Sequence, residues 1–600
     1  MNPAWYLLLL PLLVAAVNYL FFSKQHTIAS LLSTASAVVT FGVAFSLLGT
    51  TSQPESYHWI SVAKWHLDIG ITLDSLSTGM MIVVTGVGML VHVFSLAYMK
   101  EDDAKARFFT GLSLFMFSMT GIVLANNFIM TFIFWELVGL SSYLLIGHWY
   151  QKDSAADASK KAFLTNRIGD FGFMIGILLL WNITGTFTFG EMKLPDGLQG
   201  SVLVAALLCI FCGAVGKSAQ LPLHVWLPDA MEGPTPVSAL IHAATMVAAG
   251  VYMLFRVQVS LGADCFANDA GTIISWVGGI TALAAALMAT QQDDIKRILA
   301  YSTLSQLGYM VMTVGLTAGD AGMFHLFTHA WFKALLFLGS GAVIYACHHE
   351  QDIWKMGGLL KKMPITGVTF LLGYAALIAV PYVTSGFWSK EEILAAAYAH
   401  NKGLFWIAVF VAFLTTFYMT RLFVVAFLGK PKSDNADHAH EVGPLMFVPL
   451  ALLAVMAILS ATKLGGLDIA KTLSAIRPEA HHHESIILIA SIATLVLGLL
   501  AGFGLYAGKT KDPLSMPVFR ERFYIDRFYD NFIVKYFQDA FAAIVHFFDE
   551  LFINGLLVGG LSRGAQGIGL LIRRMQSGNL QTYAAFLCFG VLLIIYLVVF

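Results

Sequence analysis

The chain has 600 residues, of which 58% are hydrophobic and only 12% charged, with a formal net charge of −1. Its mean hydropathy is +0.74, the composition of a polytopic membrane protein, and the lack of a basic excess argues against a nucleic-acid partner. Five cysteines scattered through or beside apolar stretches do not form a disulfide framework.

A membrane crossing needs about 20 apolar residues. Sixteen stretches qualify, near 4–22, 28–50, 76–99, 108–125, 127–148, 162–184, 202–231, 236–259, 272–292, 298–317, 320–347, 364–399, 403–428, 444–462, 485–507 and 580–600. The stretches 202–231 and 364–399 are too long for one crossing, and each contains a break. The N-terminus lacks the basic region and small-residue cleavage site of a signal peptide, so the first span is expected to be retained. With the N-terminus outside, the cytoplasmic loops hold roughly twice as many Lys and Arg as the opposite loops. Both termini are then expected on the outer side. Arg167, Lys217, Lys333, Lys390 and Arg421 remain as the basic residues of the membrane interior.

The first three spans carry few ionisable groups apart from His92 and read as packing helices. Glu136 lies near the centre of the fifth span, in Phe132-Ile-Phe-Trp-Glu-Leu-Val-Gly139. A carboxylate there must be paired or protonated; the alternative is a neutral core glutamate. In the sixth span Arg167 and Asp170 are three residues apart, which suits either a local ion pair or a role in tuning Lys217. The seventh span carries Cys209 and Cys212, expected as packing residues rather than ligands. It then places Lys217 at bilayer depth, with the helix breaker Pro222 five residues later. An intramembrane lysine is unfavourable by roughly 2.5 to 3.5 kcal/mol, so it marks a functional position by default.

Pro234 and Pro236 open the next helix, with His242 about two turns inside, either a relay or a satisfied core histidine. In the eleventh span His325, His329 and Lys333 recur every four residues and share one stripe of a helix. The twelfth span repeats the design of the seventh: Pro381, Ser385 and Gly386 mark a break, and Lys390, Glu391 and Glu392 follow it. Two broken helices, each with a lysine, suggest a duplication over about 108–259 and 272–428. Five spans per unit would invert the second unit, an arrangement transporters use. Cys347-His-His-Glu350, His438 with His440, and His481-His-His-Glu484 lie in or beside loops without metal-ligand spacing. From Arg520 to Met575 charges and aromatics alternate at helical spacing, predicting an amphipathic helix along the membrane plane, on the order of 80 Å long. Glycines at 555, 559, 560, 564, 567 and 569 predict interruptions in it.

Four stretches resemble the antiporter-like subunits of respiratory complex I: Trp135-Glu-Leu-Val-Gly139, the segment from Gly216 to His242, Asp294-Ile-Lys-Arg-Ile-Leu-Ala-Tyr-Ser-Thr-Leu-Ser-Gln-Leu-Gly-Tyr309, and Gly386-Phe-Trp-Ser-Lys-Glu-Glu-Ile-Leu394. The resemblance implies an all-α polytopic fold of about 16 transmembrane helices, with two inverted five-helix repeats, two broken helices and a long lateral amphipathic helix. The expected divisions are 1–100, two repeats at 101–260 and 261–430, further spans at 431–510, the lateral helix at 511–579 and a last span at 580–600. It further implies a proton-translocating subunit of an NADH:quinone oxidoreductase in the bacterial inner membrane. Glu136 and Lys217 would form a charge pair with Asp170 nearby. His242, His325, His329 and Lys333 would continue a polar axis to Lys390 and Glu391, where many relatives have Asp after the lysine. No cofactor is expected on this chain; NADH, FMN, iron–sulfur clusters and quinone would belong to other subunits, contacted through the lateral helix. Two alternatives remain: a subunit of a multisubunit sodium/proton antiporter or related hydrogenase complex, and a passive scaffold.

Overall fold

The computed structural model describes residues 3–62, 65–195, 200–461, 463–464, 467–468 and 485–600. It divides into two compact units, Met1–Phe523 and Tyr524–Phe600.

Backbone groups in hydrocarbon must be satisfied within the segment, so apolar runs fold as helices. In the first unit these are α1 (Ala4–Phe21), α2 (His26–Ser46), α3 (Ser75–Tyr98), α4 (Lys105–Leu124), α5 (Phe128–Ile146), α6 (Asp153–Thr184), α7 (Ser201–Lys217), α8 (Thr235–Ala243), α9 (Met246–Leu261), α10 (Asp269–Ala289), α11 (Ile295–Gly315), α12 (Gly319–Ala346), α13 (Pro364–Leu377), α14 (Ser385–His400), α15 (Lys402–Phe427), α16 (Pro444–Leu459) and α17 (Ser485–Tyr506). Asp74, Asn127, Asn268, Asp294 and Asn401 cap the N-termini of α3, α5, α10, α11 and α15 by accepting backbone N–H bonds. Thirteen described helices are long and apolar enough to cross a membrane by length and composition, with three shorter apolar helices (α7, α13 and α16) beside them. All sixteen expected spans are helical. Among them α11 is one of the less apolar, and it is buried along nearly its whole length.

The two expected breaks are present. The first follows Lys217, where Ala219 takes a positive φ of 49° before Pro222; the second lies between α13 and α14, where Ala379 and Tyr382 take φ of 62° and 61°. Left-handed backbone at non-glycine residues costs roughly 1–2 kcal/mol each and is held here by surrounding helices. A third interruption, absent from the sequence reading, separates α8 from α9: Thr245 has φ −128° and ψ −103°. Spans α4 to α9 and α10 to α15 thus form two successive sets of five crossings, each with its fourth crossing broken. An odd number of crossings starts the second set from the opposite side.

Two small sheets depart from the all-helical expectation, one of them only the antiparallel pairing of Lys463–Leu464 with Leu467–Asp468. Ser52–Val62 and Trp65–Leu73 form an antiparallel hairpin, β1 and β2, between α2 and α3. It is tied to α1 by the Trp5 Nε1 hydrogen bond to Glu55, 3.1 Å. The core lies along α8, α9, α11 and α12, which are buried nearly all round, whereas only 17% of the apolar window of α17 is buried.

In the second unit the chain is helical from Ile525 to Met575, α-helical stretches alternating with π-helical Tyr529–Asp539 and Asp549–Val558. The expected interruptions at the glycines do not occur. Gly559, Gly560, Gly564, Gly567 and Gly569 all lie inside the α-helical stretch Gly559–Met575, because helix hydrogen bonding tolerates glycine at about 1 kcal/mol per residue. The final helix is Leu580–Val599.

Candidate functional site

Helices α6 and α7 carry the first charged group. Gly169 and Gly216 bring their backbones together so closely that a Cβ on Gly169 would lie 2.6 Å from the Cys212 carbonyl oxygen. This contact faces Asp170 toward Lys217. The Lys217 ammonium is fully buried in the last turn of α7, where the helix dipole favours a cation. Its Nζ lies 3.5 Å from Asp170 Oδ2 and 5.9 Å from the centre of the Trp135 ring. Trp135 Nε1 donates to Asp170 Oδ1 at 2.7 Å, so one indole orients the carboxylate and lines the ammonium. Glu136 pairs elsewhere: its Oε2 accepts from Arg167 Nη1 at 2.5 Å, on a face where the arginine side chain is 48% exposed. The structure keeps Asp170 beside Lys217, the tuning alternative of the sequence reading, and gives Glu136 a different direct partner. Lys217 meets Asp170 rather than Glu136, and Arg167 meets Glu136 rather than Asp170, because Asp170 points into the α6/α7 seam while Arg167 points away from it.

The break after Lys217 is braced against the one after α8. Ser218 Oγ donates to the Val247 carbonyl at 2.6 Å. His242, fully buried, packs on Phe337 with ring centres 4.8 Å apart, and neither ring nitrogen has a hydrogen-bond partner among the described residues. A buried unpaired imidazole is costly, so this position is not explained by packing. His329 meets the backbone of Ala243, and the charge of Lys333 reaches both His242 and His329. Lys333 donates to the Leu299 carbonyl at 3.2 Å. One turn earlier on α12, His325 lies 6.0 Å from His329, ring centre to ring centre. Its Nδ1 meets Ser389 Oγ at 2.9 Å and its Nε2 meets Gln306 Oε1 at 3.0 Å. Ser389 precedes Lys390, whose Nζ donates to the Leu377 carbonyl at 2.6 Å, the carbonyl at the end of α13 that the break leaves without a helical donor. Glu391 is buried beside it.

Gln306, Ser389 and Trp135 were missed as participants, although all three sit inside motifs singled out in the sequence. Two basic residues beyond the five expected in the membrane interior, Arg256 and Lys296, prove buried. Arg256 pairs with Asp74 and with the Tyr252 hydroxyl. Lys296 donates to the carbonyls of Met231 and Gly233. Arg421, fully buried, binds Asp293 and Asp512. Among the described residues no three His, Cys, Asp or Glu could hold a metal ion. Cys212 packs against Gly172 of α6, and no three of the five cysteines come together, so they do not offer the four-thiolate set of an iron–sulfur cluster. In the loops Glu350 pairs with Lys355, and His438 bonds the Asp434 carbonyl. His481-His-His-Glu484 lies outside the described residues.

Residues 125–415 match the family described as NADH:quinone oxidoreductase/Mrp antiporter, TM, and residues 59–109 match the N-terminus of chain 5 of NADH-ubiquinone oxidoreductase (complex I). NADH-quinone oxidoreductase subunit L of Rickettsia felis is 38% identical over 99% of this chain and 98% of its own length. This chain belongs to the NADH-quinone oxidoreductase subunit L family. The subunit L of Neisseria meningitidis serogroup A is 37% identical, over 98% of this chain and 97% of that protein. Among solved structures, the Mrp complex from Dietzia sp. DQ12-45-1b has the same fold, with a TM-score of 0.73 at 24% identity over the whole of this chain. This chain spans 63% of that one.

Proposed function

We propose that this subunit L family member translocates protons in the membrane arm of an NADH-quinone oxidoreductase. The observation that carries this reading is the dry, indole-flanked Lys217–Asp170 pair, continued by ionisable groups on α12 and α14. A desolvated ammonium loses affinity for its proton, and a facing carboxylate restores it. Rotation of Asp170 toward or away from Lys217 therefore loads or releases a proton. His242, Lys333, His329 and His325 lie along the route to Lys390 and Glu391, with Ser389 and Gln306 holding His325 in orientation. Glu136, paired with Arg167 on an open face, couples the first site to whatever covers that face. Residues 101–260 and 261–430 act as the two repeat units, one lysine station in each.

The chain works in the bacterial inner membrane with both termini outside. The helix 525–575 lies on the cytoplasmic face and contacts neighbouring membrane subunits. NADH, FMN, iron–sulfur clusters and quinone are handled by those other subunits, and no step here runs through them.

The test is proton flux by the whole complex in vesicles, with a sodium ionophore present. Lys217→Met combined with Asp170→Asn removes the charge while keeping the pair neutral. We expect flux to fall about a hundred-fold, the scale of a lost proton-transfer group. Unchanged flux would leave only a scaffold; flux abolished by the ionophore in the unaltered complex would indicate sodium transport.

A further inference from the structure

At one end of α15 and α17 lies a cavity of about 690 Å³ outside the polar axis. Gly429 and Gly508, with φ of 80° and 71°, turn the chain as each helix ends. Lys430 and Lys432 follow the first turn and Lys509 the second, so three lysines from two loops line one cavity, and no Asp or Glu is among its lining residues. Its floor is apolar and aromatic: Val424, Leu428, Phe503, Tyr506 and Trp354.

Two helix C-termini end here, and their exposed carbonyls carry partial negative charge. One lysine caps such an end, Lys432 donating to the Val425 carbonyl at 3.2 Å. Lys432 also sits 5.2 Å from the centre of the Trp354 ring. Capping alone accounts for one of the three cations; Lys430 and Lys509 are exposed at the rim. The apolar wall continues out of the cavity along α17. Phe503, Leu500, Val496 and Ile489 are 42%, 66%, 46% and 65% exposed, and their spacing puts them on one face of the helix. A phosphate ringed by ammonium groups, with an open hydrocarbon track leading away from it, is the shape of a phospholipid. A free phosphate or a nucleotide would have no use for the track.

We propose that this cavity binds the headgroup of an anionic phospholipid from the surrounding bilayer, its phosphate among Lys430, Lys432 and Lys509 and one acyl chain along the exposed face of α17. Basic pockets between spanning helices take lipid headgroups in this way. Trp354 and Tyr506, which floor the cavity, also flank the buried Arg421 guanidinium at 5.6 and 5.5 Å, so an occupied site packs against the Arg421, Asp293 and Asp512 cluster.

The intact complex, extracted in mild detergent and incorporated into nanodiscs of phosphatidylglycerol and phosphatidylcholine, provides the test by native mass spectrometry of retained lipid. Phosphatidylglycerol should be retained in preference, and retention should fall about five-fold for each lysine changed to glutamine. Arginine at the same three positions should restore it. Equal retention in the triple glutamine variant, or equal retention of phosphatidylcholine, would overturn the proposal; release of the lipid by millimolar inorganic phosphate would point to a free-anion site instead. If the triple variant fails to assemble, Lys509→Gln alone, at the exposed rim, gives the same reading on a smaller scale.

Discussion

The two lysine stations are built from different materials. Lys217 faces a carboxylate, Asp170 at 3.5 Å, itself held by an indole N–H. Lys390 donates to a backbone carbonyl, that of Leu377 at 2.6 Å, and among the described residues no ion pair involves it. A carboxylate can rotate, titrate or be drawn off by another cation; a peptide carbonyl at a helix end can do none of these. The direct partner is therefore adjustable at the first station and fixed at the second, which under the proposed function suits the first as the point where coupling acts and the second as an exit.

The contrast can be broken at either end. The largest effect is expected from Lys217→Met alone, which strands a buried carboxylate and should destabilise the subunit by about 3–5 kcal/mol. Adding Asp170→Asn should recover most of that stability without recovering flux. Thermal unfolding of the single and double variants checks this, and equal Tm values would remove the pairing from the account. Lys390→Met leaves only a carbonyl unpaired, so its stability loss should be smaller, about 1–3 kcal/mol, with flux again lost; a loss as large as that of Lys217→Met would erase the distinction. Trp135→Phe keeps the ring and removes the donor to Asp170. We expect about 1 kcal/mol of lost stability and a shifted pH profile of flux, with no such shift in a variant of Trp388, next to the second station.

The smallest effect is a control outside both stations. Asp102, in the loop between α3 and α4, is partly buried, which favours its neutral form, but hydrogen bonds from His148 and Trp149 hold its carboxyl down at about 2. A lowered carboxylate pKa contributes stability above the unfolded value of about 3.9. That contribution is lost as pH falls through about 2. Asp102→Asn should therefore flatten the acid limb of stability between those values, measured by acid unfolding, and leave flux at neutral pH unchanged.

Composition and helical period were enough to place the spans, since hydrocarbon admits few other structures. Proline and glycine revealed two breaks, but the one at Ala244–Thr245 carries neither residue and so gave no local signal. The hairpin was readable in Leu67, Ile69, Ile71 and Leu73, which alternate with a period of two, but the surrounding hydropathy drew attention to helices. At the site, residue types in improbable surroundings marked Lys217, His325, His329, Lys333 and Lys390. Their partners were only partly legible, because i, i+3 spacing left Asp170 open to Arg167 as well as to Lys217 and gave no sign that Arg167 would take Glu136. Which way each side chain turned depended on the glycine seam between α6 and α7. Gln306 and Ser389 escaped notice because uncharged polar residues in a membrane helix are common, and only their meeting at His325 distinguishes them.

The same seam also bears on the tempo of transport. With Gly169 and Gly216 in backbone contact, α6 and α7 leave no room for a side chain between them, so under the proposed function exchange at Asp170 and Lys217 calls for side-chain rotation rather than helix displacement. Rotation of two buried side chains is slower than the picosecond-to-nanosecond flips of exposed ones, but it displaces no helix, whereas collective helix motions take roughly microseconds to milliseconds. Under the proposed function, any helix movement that paces turnover then belongs to the jointed crossings rather than to this seam.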